Sequence, residues 1–397
     1  MKAHAQRVKR AIPAVAIAGL LAACAQPLTT PEQVMFAPGF SIVSGQETGQ
    51  PGIYDLRVDP RFADFAQDVL QQRYSMLGRQ DLAARTSHEY SAVACEPHSS
   101  GASGEDAVLA EIVRQARDAR VVIVNESHTI SRHRGFSRRL VETLRPLGFT
   151  HFAAETFTHP ADATAPVEAG IALPYPRDLE GHYLIEPAFG RLWRTARDLG
   201  YAPIAYEQNT ERDEGASRDE RVAAREAFQA QALAEAIEEA GPDARFIIHV
   251  GYSHASEHEG EFGPVWMAGR LKALTGIDPL TISQVQCRQE TGSTRLAADG
   301  SDRLGQEFDI FVDHPVTRFE GHRPLWRAAA GDIRVRVPDA LLPSEGAHVI
   351  EARLAGEPDE AIPMDRVLVF PGEEVDLLLP PGHYRLRAVV ATTENSE

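Results

Sequence analysis

Between residues 105 and 290, four short apolar runs each end in a side chain capable of chemistry, and helix-like segments separate them. Val121-Val-Ile-Val124 leads into Asn125-Glu126-Ser127-His128. The run 149–154 leads into Glu155, and 203–206 into Glu207. The run 246–250, which contains His249, leads into Gly251-Tyr-Ser-His254. Helical periodicity is expected over 107–116, 136–144, 187–199, 218–239 and 266–274, and a fifth strand over 280–285. Strands alternating with helices predict an α/β fold with a mostly parallel sheet covered by helices on both faces. In such sheets ligands bind outside the carboxyl ends of the strands. Residues two apart in an extended chain point the same way, so Glu126 and His128 arrive there together.

After about residue 330 the texture changes. Short strands are expected over 333–337, 349–354, 367–370, 375–379 and 384–389, with Pro-Gly turns at 371–372 and 381–382. This predicts a small all-β, sandwich-like C-terminal domain, read as a packing or partner-docking module. The expected boundaries are 1–24 for a leader, 25–104 for a tether and an N-terminal helical segment (helix over 62–77), 105–325 for the α/β domain and 326–397 for the β domain. Residues 96–105 read as a loop. About 370 mature residues exceed one typical core, in keeping with two domains.

The leader has a basic start (Lys2, Arg7, Lys9, Arg10) and a short apolar run ending Leu21-Ala-Ala-Cys24. Small residues before a Cys resemble a bacterial lipobox. Cys24 is then the lipidated mature N-terminus, and Ala25 after it points to the periplasmic face of the outer membrane. Removing the leader takes away four basic residues and no acidic ones, so the formal net charge moves from −17 to −21. So acidic a chain is a poor nucleic-acid binder, and its only expected tie to a membrane is the lipid anchor. Cys95 and Cys287 remain, and in an oxidising periplasm they can pair or stay free; their spacing says nothing of geometry.

Three carboxylates at one sheet edge repel unless a cation sits among them. One solution is a divalent metal held by Glu126, His128 and His254. The other is an arginine together with one Glu of raised pKa, set up for acid–base catalysis on water. The helix after Glu207 offers Arg218, Arg221 and Arg225, the last two one turn apart on a shared face.

These residues, in this order, resemble a known family. Asn125-Glu-Ser-His128 with His133 is similar to the Gly-Glu-x-His opening of the ChaN-like haem-binding lipoproteins. The wider group includes the erythromycin esterase-like proteins and the Tiki/TraB metalloproteases. Leu147 to Glu155, Gly200 to Glu207, Arg221 to Ala236 and Val250-Gly-Tyr-Ser-His254-Ala resemble the later motifs. The resemblance covers roughly residues 105–290. Asn125 stands where the family has Gly, and its side chain is expected to intrude where a ligand or metal approaches. The Glu–His spacing is that of the ChaN-like proteins and one residue shorter than in the erythromycin esterases.

Three readings follow as expectations. The first is a hydrolase of ester or peptide substrates, in which Glu126 or His128 activates water. Glu155, Glu207 and His254 complete that site, with Arg225 or Arg221 on the oxyanion. The second is haem binding without turnover, with axial ligands drawn from His133, Tyr175, Tyr183 and Tyr252. A third is an inert structural envelope protein.

Overall fold

The computed structural model describes residues 34–36, 40–47, 52–58, 66–86, 92–157, 167–207, 215–260, 263–298 and 307–393. The leader and Cys24 lie outside the described residues. The central sheet has seven strands, in the order Arg295–Ala297, Ile310–Asp313, Leu280–Ser283, Val121–Glu126, Arg245–Gly251, Phe149–Ala154, Ala202–Ile204. Every neighbouring pair is parallel except the edge strand Arg295–Ala297, which runs antiparallel to Ile310–Asp313.

The side-chain alternation of these strands divides two apolar clusters. Val122, Val124, Phe152 and Ile247 pack with Leu109 and Ile112 of helix Glu105–Gln115. Phe136 and Leu140 of Ser131–Leu144 and Trp193 of Pro187–Asp198 join them. Val121, Ile123, Phe246 and Ile248 pack instead with Leu233 of Arg218–Glu239 and Met267 of Met267–Thr275. A continuous Val/Ile run is what a strand buried on both faces requires. The long helix Arg218–Glu239 starts from a capping box between Ser217 and Glu220.

The C-terminal strands form a second layer. Ala347–Leu354 lies between Asp365–Val369 and His383–Ala391. Ile333–Arg336 pairs with Asp376–Leu379, and Ile350, Val367, Leu377 and Leu386 bury together between the two groups. Part of the stretch expected as a tether belongs here. Met35–Phe36 and Ser41–Ser44 both run parallel to His383–Ala391. Tyr54 and Leu56 pack beneath the same sheet with Leu77 and Val389. These short segments are Gly/Pro-flanked and half exposed, so they lack the alternation that marks a strand in sequence.

Buried ion pairs join this layer to the α/β part. Arg366 donates to Asp178 Oδ2 at 2.9 Å and to the Ile185 carbonyl at 2.6 Å, while its Nε lies 2.8 Å from Glu351 Oε1. Arg191 and Arg327 share Asp332, and Arg323 and Arg327 share Asp365. Cys95 and Cys287 form a disulfide across 192 residues of sequence, with Cα atoms 5.5 Å apart.

Candidate active site

Parallel register brings the strand ends to one edge. Glu126 pairs with Gly251 and Ala154 with His249, so Glu155, His128 and the turn after Gly251 open side by side. The His128 ring lies directly against Gly251, where a Cβ would overlap its Cε1 and Nε2. Gly251 is therefore required for space, since its φ of −86° suits any residue.

Glu126 and His128 do meet, as the two-residue spacing predicts. His128 Nδ1 lies 3.0 Å from Glu126 Oε1. Glu126 is fully buried, and Arg134 grips both of its oxygens, Nε to Oε2 at 2.7 Å and Nη2 to Oε1 at 2.6 Å. Burial alone raises a carboxyl pKa, but the adjacent guanidinium outweighs it and holds Glu126 well below the usual carboxylate range. A carboxylate so bound orients and does not accept protons. Glu126 is accordingly corrected from a candidate base to the group that fixes the His128 tautomer, with the proton on Nδ1 and the lone pair on Nε2.

Glu155 is the hub. Its Oε1 lies 4.0 Å from His128 Nε2 and 3.9 Å from His254 Nε2, and accepts from Arg225 Nη2 at 2.7 Å. Its Oε2 accepts the Gly251 N–H. Burial pushes its pKa up, yet His128, His254 and Arg225 together hold it down at about 2.

His254 repeats the His128 arrangement from the other side. Its Nδ1 lies 2.7 Å from Glu226 Oε1, and Glu226, fully buried, also accepts the Met267 N–H at 2.7 Å. Burial lowers the His254 pKa, but Glu226 and Glu155 raise it further than burial lowers it. Arg225 Nη1 stands 3.0 Å from His254 Nε2, and Arg225 also binds Glu207, Nε to Oε1 at 3.0 Å. The Arg225 side chain keeps 36% of its surface exposed, so a cation faces outward over two nearly buried imidazoles.

Two tyrosines wall the His128 ring. Tyr183 stacks on it at 4.1 Å and Tyr252 meets it edge-on at 4.9 Å. Tyr252 sits at φ 44°, a left-handed backbone that a bulky residue rarely adopts and that costs roughly 1–3 kcal/mol. Asn125 Nδ2 holds its carbonyl at 2.7 Å, while Asn125 Oδ1 accepts the Gln284 N–H at 2.7 Å. Asn125 therefore does not intrude on a ligand; it ties the strained turn to the neighbouring strand. The Tyr183 segment is held by Thr156, whose Oγ1 accepts the Tyr183 N–H at 2.6 Å, and by Arg366 through Asp178 and Ile185.

The structure thus gathers Glu126, His128, Glu155, Glu207, Arg225 and His254. Arg221 points elsewhere, bonding the Ala216 carbonyl, and Arg218 is exposed. Arg134 and Glu226 were not singled out in the sequence. Their only signals are proximity in sequence to His128 and Arg225. In the expected metal set, Arg134 bonds both Glu126 oxygens, Glu226 Oε1 lies 2.7 Å from His254 Nδ1, and Arg225 Nη1 stands at His254 Nε2. Among the described residues no group of three or more His, Cys, Asp or Glu is arranged to hold a metal ion. The haem ligand set is also divided. Tyr175 hydrogen-bonds Glu360 at 2.6 Å and Tyr183 stacks on His128, whereas His133 and Tyr252 line an adjoining cavity of about 400 Å³.

No protein-family model matches the chain, and no curated protein matches it. Among solved structures it is similar to the type III effector HopBA1, at 16% identity and TM-score 0.36, over 57% of this chain and 98% of that one. It is also similar to a chain described as a bacterial protein toxin, at 15% identity and TM-score 0.36, over 57% of this chain and 48% of that one. A third is RRSP, a MARTX toxin effector domain from Vibrio vulnificus CMCP6, at 16% identity and TM-score 0.33, over 57% of this chain and 47% of that one. The match spans about half the length of the two toxin chains. Likeness at these TM-scores carries no argument about what the chain does.

Proposed function

We propose that the chain is a hydrolase of ester or peptide bonds in which His128, oriented by Glu126, activates water. The observation that carries this reading is the gap of 4.0 Å between His128 Nε2 and Glu155 Oε1. It is too long for a direct hydrogen bond and suits a bridging water. Such a water donates to both groups and turns a lone pair outward. As its oxygen attacks a carbonyl carbon, His128 takes the proton and then returns it to the departing alcohol or amine. Arg225 faces the developing oxyanion. The order of motifs resembling the ChaN-like and erythromycin esterase-like proteins supports the reading.

Turnover of a panel of aryl esters and dipeptides by wild type and His128→Gln tests it. A positioned base contributes about 10²–10⁴-fold, and the variant should lose that much while staying folded. Equal turnover by the two proteins sinks the mechanism. Haem binding is the second reading, favoured by His133 and Tyr252 lining one cavity. Titration with hemin that produces no Soret shift removes it.

The location proposed is the periplasmic face of the outer membrane, anchored through Cys24. The Cys95–Cys287 bridge supports an oxidising compartment, since disulfides persist there. Among the described residues no helix is long and apolar enough to cross a membrane. Cys24→Ser should move the protein from the membrane fraction to the soluble periplasm. Residues 326–397, with the N-terminal strands, are proposed to form a small sandwich-like domain that braces the Tyr183 segment.

A further inference from the structure

We propose that the cavity beside the reacting edge binds a small amphiphilic anion, a carboxylate or phosphate on an apolar body, with Arg132 as its counter-ion. The cavity has a volume of about 400 Å³, and Ser127 and Tyr252 form the wall it shares with the His128 site. Ile130, Val285, Val316 and Phe319 supply apolar lining. Arg132 and Arg288 supply positive charge, and Asp68 is the one acidic lining residue among those described.

Arg132 has an unusual set of partners. Its Nε points at His314 Nδ1 at 3.3 Å and its Nη2 at Thr294 Oγ1 at 2.8 Å. Both are neutral, because burial pushes the His314 pKa well below its ordinary value. Among the described residues no carboxylate forms an ion pair with Arg132. Two residues on, Arg134 has Glu126 and Glu186. Glu105 is the carboxylate whose charge reaches Arg132, yet burial still lowers the Arg132 pKa, so the guanidinium is under-compensated and an anionic ligand in contact relieves that cost.

Backbone geometry points the same way. Helix Ser131–Leu144 begins at this cavity, with no side chain capping it and no acidic residue in its first turn. Its amino end therefore presents partial positive charge at the space that Arg132 lines. In a chain of formal net charge −17 this is a local reversal of sign. His133, in the same first turn, accepts the Ser127 N–H on Nδ1 at 3.0 Å, which couples the cavity wall to the loop that carries His128.

That the ligand's scissile bond lies at His128 rests on the hydrolase reading; the anion site does not. Calorimetric titration of the mature chain with octanoate, octyl phosphate and octanol tests the site directly. At least one anion should bind about tenfold or more tighter than octanol, as charge-assisted bonds require. Which anion binds better separates carboxylate from phosphate ligands. Arg132→Gln should abolish the preference. Ile130→Glu, at an exposed wall position, should do so without disturbing the core. Octanol binding as tightly as both anions, or an undiminished preference in both folded variants, overturns the inference. Anion binding without ester or peptide turnover keeps the inference and removes the hydrolase reading; turnover without anion preference does the reverse.

Discussion

Arg134 closes on both oxygens of Glu126, with Nε 2.7 Å from Oε2 and Nη2 2.6 Å from Oε1. The pair is sealed from solvent, and Arg134 reaches Glu186 Oε2 as well, at 3.2 Å. It makes Glu126 a permanent anion behind His128, and so separates the role of orienting from that of accepting a proton. Breaking a buried pair by removing one partner costs about 3–5 kcal/mol. Arg134→Ala should lower unfolding stability by that amount in urea titration, with the double variant Arg134→Met/Glu126→Leu recovering part of it. A single variant as stable as wild type refutes the pairing.

Gly251 and His128 define a second test. A methyl group at 251 occupies the space of the imidazole, so Gly251→Ala must push the ring off Glu155. Turnover should fall by about 10²-fold, since misplacement of about 1 Å at a reacting group has that effect. The backbone tolerates Ala here, so the melting temperature should move by only a few degrees. Full activity in Gly251→Ala places the reacting group elsewhere.

Acid should unfold the chain in stages. Burial holds His133 at about 3 and His249 at about 4, against an ordinary 6.5. Glu155, buried but pulled down by His128, His254 and Arg225, sits at about 2 against 4.5. Each folded value lies below its unfolded one. Each group therefore stabilises the fold above its unfolded value, and that stability is lost as pH falls toward the folded value. The histidines act below pH 6.5 and Glu155 below pH 4.5. The denaturant midpoint should begin to fall below pH 6.5 and steepen below 4.5, and Glu155→Gln should flatten the second stage. A midpoint constant from pH 6.5 to 4 contradicts the buried neutral histidines.

The Cys95–Cys287 bridge closes a loop of 192 residues that contains most of the central sheet. Cross-links over long loops stabilise by roughly 2–5 kcal/mol. Reduction, or Cys95→Ser with Cys287→Ser, should lower stability by that range. Cys287 also lines the cavity, so anion affinity should weaken in the same variant. Unchanged urea midpoints with and without reductant refute the contribution.

Much of the α/β part was legible because its signals are local. The run 149–154 and the helix 218–239 match the observed Phe149–Ala154 and Arg218–Glu239, and the strands before His128 and His254 differ from expectation by one or two residues. Apolar runs bounded by Gly and Pro, and a capped Ala-rich helix, carry their own instructions. The helix Gln80–Thr86 and the strands Arg295–Ala297, Ile310–Asp313 and Ser41–Ser44 escaped the sequence reading. They are short and carry little periodicity: Ser41–Ser44 is held by the distant strand His383–Ala391, Arg295–Ala297 and Ile310–Asp313 by each other and Leu280–Ser283, and Gln80–Thr86 by packing on Ala66–Met76.

The amino-acid sequence by itself determined that strand ends would carry Glu126, His128, Glu155, Glu207 and His254, because side-chain period and chain direction are properties of each segment. Only the tertiary structure decided what those groups are for. Strand order set Val121–Glu126 beside Arg245–Gly251, and helix packing inserted Arg134 and Glu226 behind the two histidines. Charge state and proton affinity depend on burial and on neighbours within a few ångströms. Those neighbours come from residues 8 and 28 positions away from Glu126 and His254, and no local pattern marks them.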